Sequence, residues 1–257
     1  MAPENADRLF AHAQKVTDIF AVKAAPVKEL RANGTLQLIG EDVDEDYLNE
    51  LKNVNVNTRM IKENADKLKI IYTPLHGTGK MLYDRAFREG GFDNVIPVPS
   101  QSIIDPEFPT TIKPNPEFRD VFDPGVKLAN KKHANVIIAT DPDADRMGAC
   151  VRTENGDFQV LTGNQIATLM AYYLLVNLKQ SGKLSKDYEI VTSVVSSALP
   201  FKIAKDFGIK TKYVLTGFKY IGEEVDRMNK AHDGKFLMGF EESYGYLFKP
   251  FPRDKDA

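Results

Sequence analysis

The sequence predicts an α/β protein made of two consecutive mixed, mostly parallel sheet domains flanked by helices. From about residue 66 onward, short β-rich segments alternate with segments of helical periodicity, which is the pattern of strand–helix–strand units. The 257 residues, of which 42% are hydrophobic and 27% charged, are enough for one large or two smaller domains with buried cores. A boundary near residue 160 predicts one domain over residues 61–160 and another over residues 161–257.

The composition and charge of the chain argue against several classes of protein. A net charge of −2 with both signs interspersed gives no clustered basic surface, so a nucleic-acid partner is not expected. No apolar segment is long enough to span a bilayer and no signal-peptide pattern opens the chain, so a membrane partner is not expected either. Cys150 is the only cysteine, which predicts a small buried side chain in a cytoplasmic protein without an internal disulfide.

Residues 1–60 fit neither predicted domain. The spacing of apolar residues predicts a helix over residues 4–20. The residues expected on its apolar face are Leu9, Phe10, Ala13, Val16 and Phe20. Residues 36–39 could form one strand, and the acidic cluster that follows is expected to be a solvated face. That cluster comprises Asp42, Asp44, Glu45 and Asp46.

The domain predicted over residues 61–160 alternates strands and helices before it ends in a hairpin. Strands are predicted over residues 69–73, 94–98 and 135–140, with a hairpin over residues 147–151 and 157–160. Helices are predicted over residues 80–90 and 117–133. Residues 97–116 hold four prolines from Pro106 to Pro116, which predicts an ordered surface loop.

The domain predicted over residues 161–257 begins with a capped helix. Thr162 and Gln165 match a capping box. Apolar side chains follow at helical spacing, namely Ile166, Leu169, Met170, Tyr173 and Leu174. Strands are predicted over residues 188–193, 210–215 and 235–240, and helices near residues 198–207 and 217–230.

Three aspartates that follow the apolar strand over residues 135–140 are the strongest functional signal. Asp141, Asp143 and Asp145 stand at alternate positions of one loop, where their carboxylates can converge on a single cation. Ligands of open α/β sheets bind at the carboxyl ends of the strands. Mg²⁺ takes oxygen ligands, leaves positions open for phosphate, and relieves the repulsion among clustered carboxylates. Arg146 would be their counter-ion or a phosphate ligand, and the two roles are compatible.

Other interpretations of this loop stay open. A calcium loop of the EF-hand type needs Gly at its sixth position and Glu at its twelfth, where this chain has Arg146 and Arg152. An Asp-rich turn without a metal is a second interpretation. A Mg²⁺-dependent aspartyl-phosphate hydrolase is a third, although it would need an Asp motif on the first strand and a lysine downstream.

Five segments together resemble one family. They are residues 73–79 (TPLHGTG), 141–146 (DPDADR), 216–222 (TGFKYIG), 239–246 (GFEESYGY) and 253–256 (RDKD). In order and spacing they resemble the α-D-phosphohexomutases, the superfamily of phosphoglucomutases and phosphomannomutases, over roughly residues 60–257. The first two segments are similar to the family's second domain. The others are similar to its third-domain sugar loops and to a basic motif just downstream of them.

The resemblance implies a role for each matching residue. The three aspartates would bind Mg²⁺, Arg146 would contact the phosphoryl group in transit, and Lys255 is the candidate general acid/base. The substrate-binding candidates are Thr216, Gly217, Lys219, Glu241, Ser243 and His76, with Glu241 and Ser243 on sugar hydroxyls. Structural roles compete with some of these: Thr216 would cap a helix, Lys255 would be solvated, and His76 would hydrogen-bond within its loop.

The reaction implied by the resemblance is that of a bacterial-type phosphoglucomutase, which interconverts glucose 1-phosphate and glucose 6-phosphate. In that family a phosphoserine donates its phosphoryl group to the sugar and is regenerated from glucose 1,6-bisphosphate, which also serves as activator. No stretch of this chain matches the family's Thr-Ala-Ser-His-Asn-Pro-like serine loop or its Arg-x-Ser-Gly-Thr-Glu phosphate loop. We therefore expect residues 1–60 to be the tail of a truncated first domain and residues 161–257 to lack their last helix. This chain alone is then expected to be inactive without the first and fourth domains of its parent.

The exact sugar phosphate stays open at this stage. Some phosphomannomutase-type members carry Gly-Glu-Met-Ser-Gly-His in the sugar loop, whereas residues 240–245 here are Phe-Glu-Glu-Ser-Tyr-Gly. The Glu-Glu-Ser form is similar to that of phosphoglucomutases and favours glucose phosphate. The alternatives are a phosphomannomutase, a phosphopentomutase and a non-catalytic module that binds a sugar phosphate.

Overall fold

A computed structural model describes residues 3–257. Its α-helices are α1 (Pro3–Ala13), α2 (Val27–Ala32), α3 (Glu41–Lys52), α4 (Thr58–Asn64), α5 (Tyr83–Glu89), α6 (Asp123–Lys132), α7 (Gly163–Gln180), α8 (Leu199–Asp206) and α9 (Phe218–Ala231). Its strands are β1 (Ile70–Thr73), β2 (Val95–Pro97), β3 (Val136–Thr140), β4 (Met147–Arg152), β5 (Phe158–Val160), β6 (Tyr188–Ser193), β7 (Lys210–Val214), β8 (Lys235–Phe240) and β9 (Tyr246–Phe248). The chain divides into two compact units, Met1–Tyr47 and Leu48–Ala257.

The helix predicted over residues 4–20 is shorter than expected. α1 ends at Ala13, and a 3₁₀ turn covers Ile19–Ala21. The apolar side chains of Leu9 and Phe10 are 60% and 65% exposed, so burial of an apolar face does not extend this helix. Helices in proteins take most of their stability from such burial, and periodicity alone therefore overestimated the length of α1.

The prediction of a strand over residues 36–39 was wrong, because the structure has no strand in this segment. Leu38 and Ile39 are largely exposed. The first strand of the described chain is β1, so the segment has no neighbouring strand within its unit to form a ladder with. The acidic cluster lies mostly at the surface, and Asp42 and Asp44 fall in the first turn of α3, where the helix dipole favours negative charge.

The first sheet has five strands in the order β2-β1-β3-β4-β5. β1 pairs in parallel with β2 and β3, whereas β4 and β5 pair antiparallel, so the predicted hairpin extends this sheet. Ile71, Ile137 and Phe122 are buried in its core. Cys150 lies in the same core, and burial raises the pKa of its thiol to about 11, as expected for a small buried side chain.

The second sheet has four strands in the order β7-β6-β8-β9, in which only β9 is antiparallel. Consecutive residues of β6 face opposite layers, because Ile190 packs in the cluster formed by α7 and α8 while Val191 packs in the cluster formed by α9. Helices thus cover both faces, which is why nearly all residues of the central strands β6 and β8 are buried. Two mixed sheets flanked by helices confirm the predicted fold class.

The start of α7 agrees with the sequence, whereas that of α6 does not. Thr162 Oγ1 accepts a hydrogen bond from the backbone nitrogen of Gln165 at 3.2 Å, and Gln165 Oε1 accepts from the backbone nitrogen of Thr162 at 2.8 Å. α6 begins at Asp123 instead of residue 117, because a 3₁₀ turn precedes it and Pro124 favours the first turn of a helix. Among the described residues, no helix has both the length and the apolar character needed to cross a membrane.

Candidate functional site

The three aspartates of the loop after β3 come together in the structure. Each offers one carboxylate oxygen, and these oxygens all lie within 4.8 Å of one another. Asp141 is buried, and its Oδ1 accepts hydrogen bonds from the backbone nitrogens of Asp145 at 3.2 Å and Arg146 at 3.0 Å. Ala144 has a φ of 58°, a left-handed conformation that turns the chain between Asp143 and Asp145. The loop is therefore held in shape by its own first carboxylate.

The electrostatics of this aspartate loop favour a cation. Burial raises the pKa of the Asp141 carboxyl to about 6; the backbone hydrogen bond from Arg146 lowers it, and the charges of Asp143 and Asp145 raise it. A divalent ion among the carboxylates would offset both the burial and the repulsion. All three donors are carboxylate oxygens, so the set fits a hard cation such as Mg²⁺.

Arg146 lies beside the aspartates without a close ion pair. Its Nε is 3.8 Å from Asp141 Oδ2 and 3.9 Å from Asp145 Oδ1, and its Nη1 is 3.8 Å from Glu117 Oε1. These separations exceed the hydrogen-bond distance, so the guanidinium keeps donors for an anion such as a phosphate. Glu117, at the end of the proline-rich loop, was not identified from the sequence.

The loop after β1 packs directly on the aspartate loop. The backbone nitrogen of Thr78 donates to Pro142 O at 2.8 Å. A Cβ added at Gly77 would lie 2.2 Å from Pro142 Cα, so the two backbones approach this closely only because residue 77 is glycine. The segment over residues 73–79 therefore supports the aspartate loop from the neighbouring strand β1, at the same edge of the sheet.

His76 is buried in this supporting loop, and both of its ring nitrogens have partners. Nδ1 is 2.9 Å from Ile103 O, and Nε2 is 2.8 Å from Thr110 Oγ1. The backbone nitrogen of His76 also donates to Gln101 O at 2.8 Å. These contacts attach the proline-rich loop to the sheet and favour a structural role for His76. Its contact with a substrate stays a prediction.

The turn between β8 and β9, residues 241–245, carries the two predicted sugar ligands and is called the sugar turn. Glu241 is buried, and its Oε1 accepts a hydrogen bond from the backbone nitrogen of Gly217 at 2.7 Å. This bond joins the sugar turn to the loop before α9. Gly217 has a φ of 121°, which a residue with a side chain rarely adopts. Ser243 is half-buried two residues after Glu241.

Thr216 and Lys219 flank Gly217 and are exposed. Gly217, and not Thr216, is the N-cap residue of α9, so the alternative role of Thr216 as a helix cap is not realised. Lys219 Nζ lies 4.9 Å from the centre of the Tyr220 ring. Both side chains stand just beyond the carboxyl end of β7, where ligands of parallel sheets bind.

The aspartate loop and the sugar turn meet in the structure. Arg146 and Gly245 form an antiparallel β-bridge, and the backbone nitrogen of Met147 donates to Tyr244 O at 3.1 Å. Lys255 closes the same junction, because its Nζ lies 2.7 Å from Asp145 Oδ2. The predicted metal ligands, the candidate acid/base and the turn that carries the predicted sugar ligands are thus neighbours.

The segment that carries Lys255 is irregular and folds over this junction. The backbone nitrogen of Asp256 donates to Tyr246 O at 2.9 Å, and that of Ala257 donates to Ala144 O at 3.2 Å. Burial lowers the pKa of Lys255, but its hydrogen bond and ion pair with Asp145 outweigh this effect, so the pKa is raised overall. Lys255 is consequently a cation held against a metal-ligand candidate.

Comparisons with known proteins agree with this arrangement. Residues 45–156 match the family model for alpha/beta/alpha domain II of phosphoglucomutase/phosphomannomutase, and residues 162–257 match the one for domain III. The chain belongs to the phosphoglucomutase/phosphomannomutase family. The phosphoglucomutase of Staphylococcus saprophyticus is 32% identical over 257 residues, which are 100% of this chain and 45% of that protein. The chain thus spans less than half the length of this family member.

Solved structures of phosphohexomutases share the fold of the present chain. The exocytosis-sensitive phosphoprotein parafusin (phosphoglucomutase) from Paramecium aligns with a TM-score of 0.60 at 18% identity, covering 82% of this chain and 35% of that one. The N-acetylphosphoglucosamine mutase of Aspergillus fumigatus, solved in complex with GlcNAc-6P and magnesium, aligns with a TM-score of 0.50 at 17% identity, covering 76% of this chain and 40% of that one. At these identities the alignments show the fold alone.

Proposed function

We propose that this chain is the metal-binding and sugar-binding part of a phosphoglucomutase that interconverts glucose 1-phosphate and glucose 6-phosphate. Other domains of the parent protein would supply the phosphoserine and the phosphate-binding loop, with glucose 1,6-bisphosphate as the intermediate. In this proposal residues 61–160 form the metal-binding domain, residues 161–257 form the sugar-binding domain, and residues 1–60 belong to the tail of a preceding domain. A cytoplasmic location is in keeping with the single free cysteine.

The observation that carries the proposal is the bridge between Arg146 and Gly245. It brings the end of the aspartate loop next to the sugar turn. Phosphoryl transfer depends mainly on positioning and on charge stabilisation, so the groups that hold the phosphoryl and the sugar must share one site. Two separate loops with suitable residues would not meet this requirement.

Each side chain at this junction has a task that its contacts support. Asp141, Asp143 and Asp145 would hold Mg²⁺, which when bound would neutralise the charge of the phosphoryl group. The free donors of Arg146 would bind phosphoryl oxygens. Lys255, held as a cation by Asp145, would donate a proton from Nζ to the sugar oxygen when the phosphoryl group leaves that oxygen for the serine, and its neutral amine would take the hydroxyl proton when the group is transferred to the sugar.

The two carboxylate oxygens of Glu241 would have different tasks in the sugar turn, one structural and one in sugar binding. Glu241 Oε1 is engaged by Gly217, so Oε2 would accept a hydrogen bond from a sugar hydroxyl, and Ser243 would contact a second hydroxyl. The Glu-Glu-Ser sequence of this turn favours glucose over mannose or a pentose. The name of the Staphylococcus relative, a phosphoglucomutase, supports the same choice.

Binding experiments with the chain itself test the site. Isothermal titration should show Mg²⁺ binding that Asp143→Asn weakens by roughly tenfold or more, because one of three charged ligands is lost. Asp157→Asn, which changes an exposed aspartate of the β4–β5 turn, is the matched control and should bind Mg²⁺ normally. Equal binding by wild type, Asp143→Asn and Asp157→Asn would contradict the metal site.

Turnover experiments with the full-length parent protein test the reaction. We expect it to convert glucose 1-phosphate with a higher kcat/KM than mannose 1-phosphate, and we expect the present chain alone to show no turnover. Glu241→Ala should lower kcat/KM by roughly tenfold or more, because a charge-assisted hydrogen bond to the sugar is lost. A preference for mannose 1-phosphate would refute the assignment of the sugar, and turnover by this chain alone would refute the need for the other domains.

A further inference from the structure

We propose that Glu242 is a positioning residue that sets the geometry of the sugar turn by anchoring it to the loop after β6. The inference rests on the proposed role of Glu241 and Ser243 as sugar ligands. Glu242 stands between these two residues, and its own side chain engages neither of them. It acts on the sugar only through the backbone that it holds in place.

The anchor is a polar cluster of one carboxylate and two serines. Glu242 Oε2 accepts hydrogen bonds from Ser196 Oγ at 2.9 Å and from Ser193 Oγ at 3.2 Å, and the two hydroxyls are 2.9 Å apart. Both serines are buried, whereas Glu242 is half-buried. Buried hydroxyls that lose their acceptor cost free energy, so the cluster resists movement of Glu242.

The backbone of the sugar turn is also pressed against the start of α7. A Cβ added at Gly163 would lie 2.1 Å from Glu242 O, and the hydroxyl of Tyr244 donates to Leu161 O at 3.0 Å. Tyr244 itself has a φ of 68°, a conformation that is costly for a residue with a side chain. A strained turn keeps its shape only if several contacts hold it, and the carboxylate of Glu242 supplies the contact on the β6 side.

The anchor has a consequence for the neighbouring carboxylate. Glu241 and Glu242 carry like charges at adjacent positions, yet their side chains diverge, one to Gly217 and the other to the serines. If Glu242 were released, its carboxylate would be free to compete for the Gly217 amide and to repel Glu241. The geometry of the proposed sugar ligand therefore depends on where Glu242 is held.

Amide hydrogen exchange of the chain, followed by NMR, tests this inference without a ligand. The reporter is the Gly217 amide, which is protected by Glu241. We expect Glu242→Ala to speed its exchange by roughly tenfold or more, while Glu242→Gln, which keeps an acceptor oxygen, changes it less than threefold. The Ile137 amide of the first sheet is the internal reference and should be unaffected.

Serine variants keep the test decisive if Glu242→Ala does not fold. Ser196→Ala should also speed Gly217 exchange, and Ser196→Ala combined with Glu242→Ala should be no worse than Glu242→Ala alone, because both remove one interaction. Ser197→Ala is the matched control, since this serine hydroxyl lies in the same loop and accepts from the backbone of Leu199 instead. Equal acceleration at Gly217 and Ile137, or none at Gly217 in Glu242→Ala and Ser196→Ala, would overturn the proposal.

A second measurement links the anchor to recognition. Titration with glucose 1-phosphate should show weaker binding in Ser196→Ala than in Ser197→Ala by roughly three- to tenfold. If the wild-type chain binds no glucose 1-phosphate, the proposed sugar site in this chain fails, while the exchange at Gly217 still decides whether Glu242 positions the turn. Equal glucose 1-phosphate affinity in the two serine variants would refute the link to recognition.

Discussion

Replacement of Lys255 by methionine should make the aspartate loop bind divalent cations more tightly. In the structure Lys255 Nζ lies 2.7 Å from Asp145 Oδ2, so an ammonium group already neutralises part of the charge that attracts a metal. A divalent ion that takes this oxygen as a ligand has to displace the lysine. Methionine keeps the length and apolar contacts of the side chain but removes the competing cation.

The size of the effect follows from the exposure of the ion pair. Charge-assisted hydrogen bonds contribute about 1.5–3 kcal/mol, whereas exposed ion pairs contribute about 0–1 kcal/mol. The side chains of Lys255 and Asp145 are 21% and 27% exposed, so this pair lies between the two limits. A competing interaction of about 1–2 kcal/mol corresponds to about 5- to 30-fold tighter metal binding in Lys255→Met, since 1.4 kcal/mol is tenfold.

Titration of the chain with Mn²⁺, followed by electron paramagnetic resonance, measures this difference directly. Lys219→Met is the matched control, because it removes an exposed lysine near the sugar turn and should leave the affinity within twofold. The gain in Lys255→Met should shrink at about 1 M salt, where the Debye length is about 3 Å. An unchanged or weaker Mn²⁺ affinity in Lys255→Met would refute the idea that Lys255 competes with the metal for Asp145. An equal gain of affinity in Lys219→Met would show that the gain comes from the change in net charge alone.

Three further predictions concern stability. In metal-free buffer the raised pKa of Asp141 means that the folded state binds more protons than the unfolded state between about pH 4 and about pH 6, so stability should fall as pH rises through this window. Above about pH 6, urea unfolding should show Asp141→Asn to be more stable than wild type by about 1–3 kcal/mol, and equal stability of the two proteins would contradict a buried charge at Asp141. Gly77→Ala should lower stability by about 1–3 kcal/mol and weaken Mg²⁺ binding, since its methyl group would overlap Pro142; a normal thermal melt and normal titration would contradict the close approach. His76→Ala should lower stability by about 1–3 kcal/mol by leaving Thr110 without its partner, and Mg²⁺ affinity should stay within twofold; a loss of affinity without a loss of stability would argue for a role in the site instead.

The elements of both sheets were largely predictable because their signals are local. Short stretches of consecutive residues were enough to predict the apolar strands ending at Thr140 and Phe240, the hairpin that ends at Val160 and the capping box at Thr162. Predictions failed where an element needs a partner that the local sequence does not specify. The segment over residues 36–39 has strand-like residues but no strand to pair with in its unit, and the apolar positions of α1 are not buried.

The candidate site was predictable in its parts but not in its assembly. Asp141, Asp143 and Asp145 are close in the sequence, so their convergence in one loop followed from their spacing. The ion pair of Lys255 with Asp145 joins residues far apart in the chain and depends on how the last segment folds back. The anchor of Glu242 on Ser196 was missed for the same reason.

The sequence by itself determined the kind of chemistry, because the donor atoms of an acidic loop and the turn residues around a glycine are properties of neighbouring residues. Only the tertiary structure decided which loops share a site and which charges compete within it. The bridge from Arg146 to Gly245 joins the residue just before β4 of the first sheet to the residue just before β9 of the second. Contacts between distant segments arise from packing, and packing depends on the whole core instead of on any short stretch of residues.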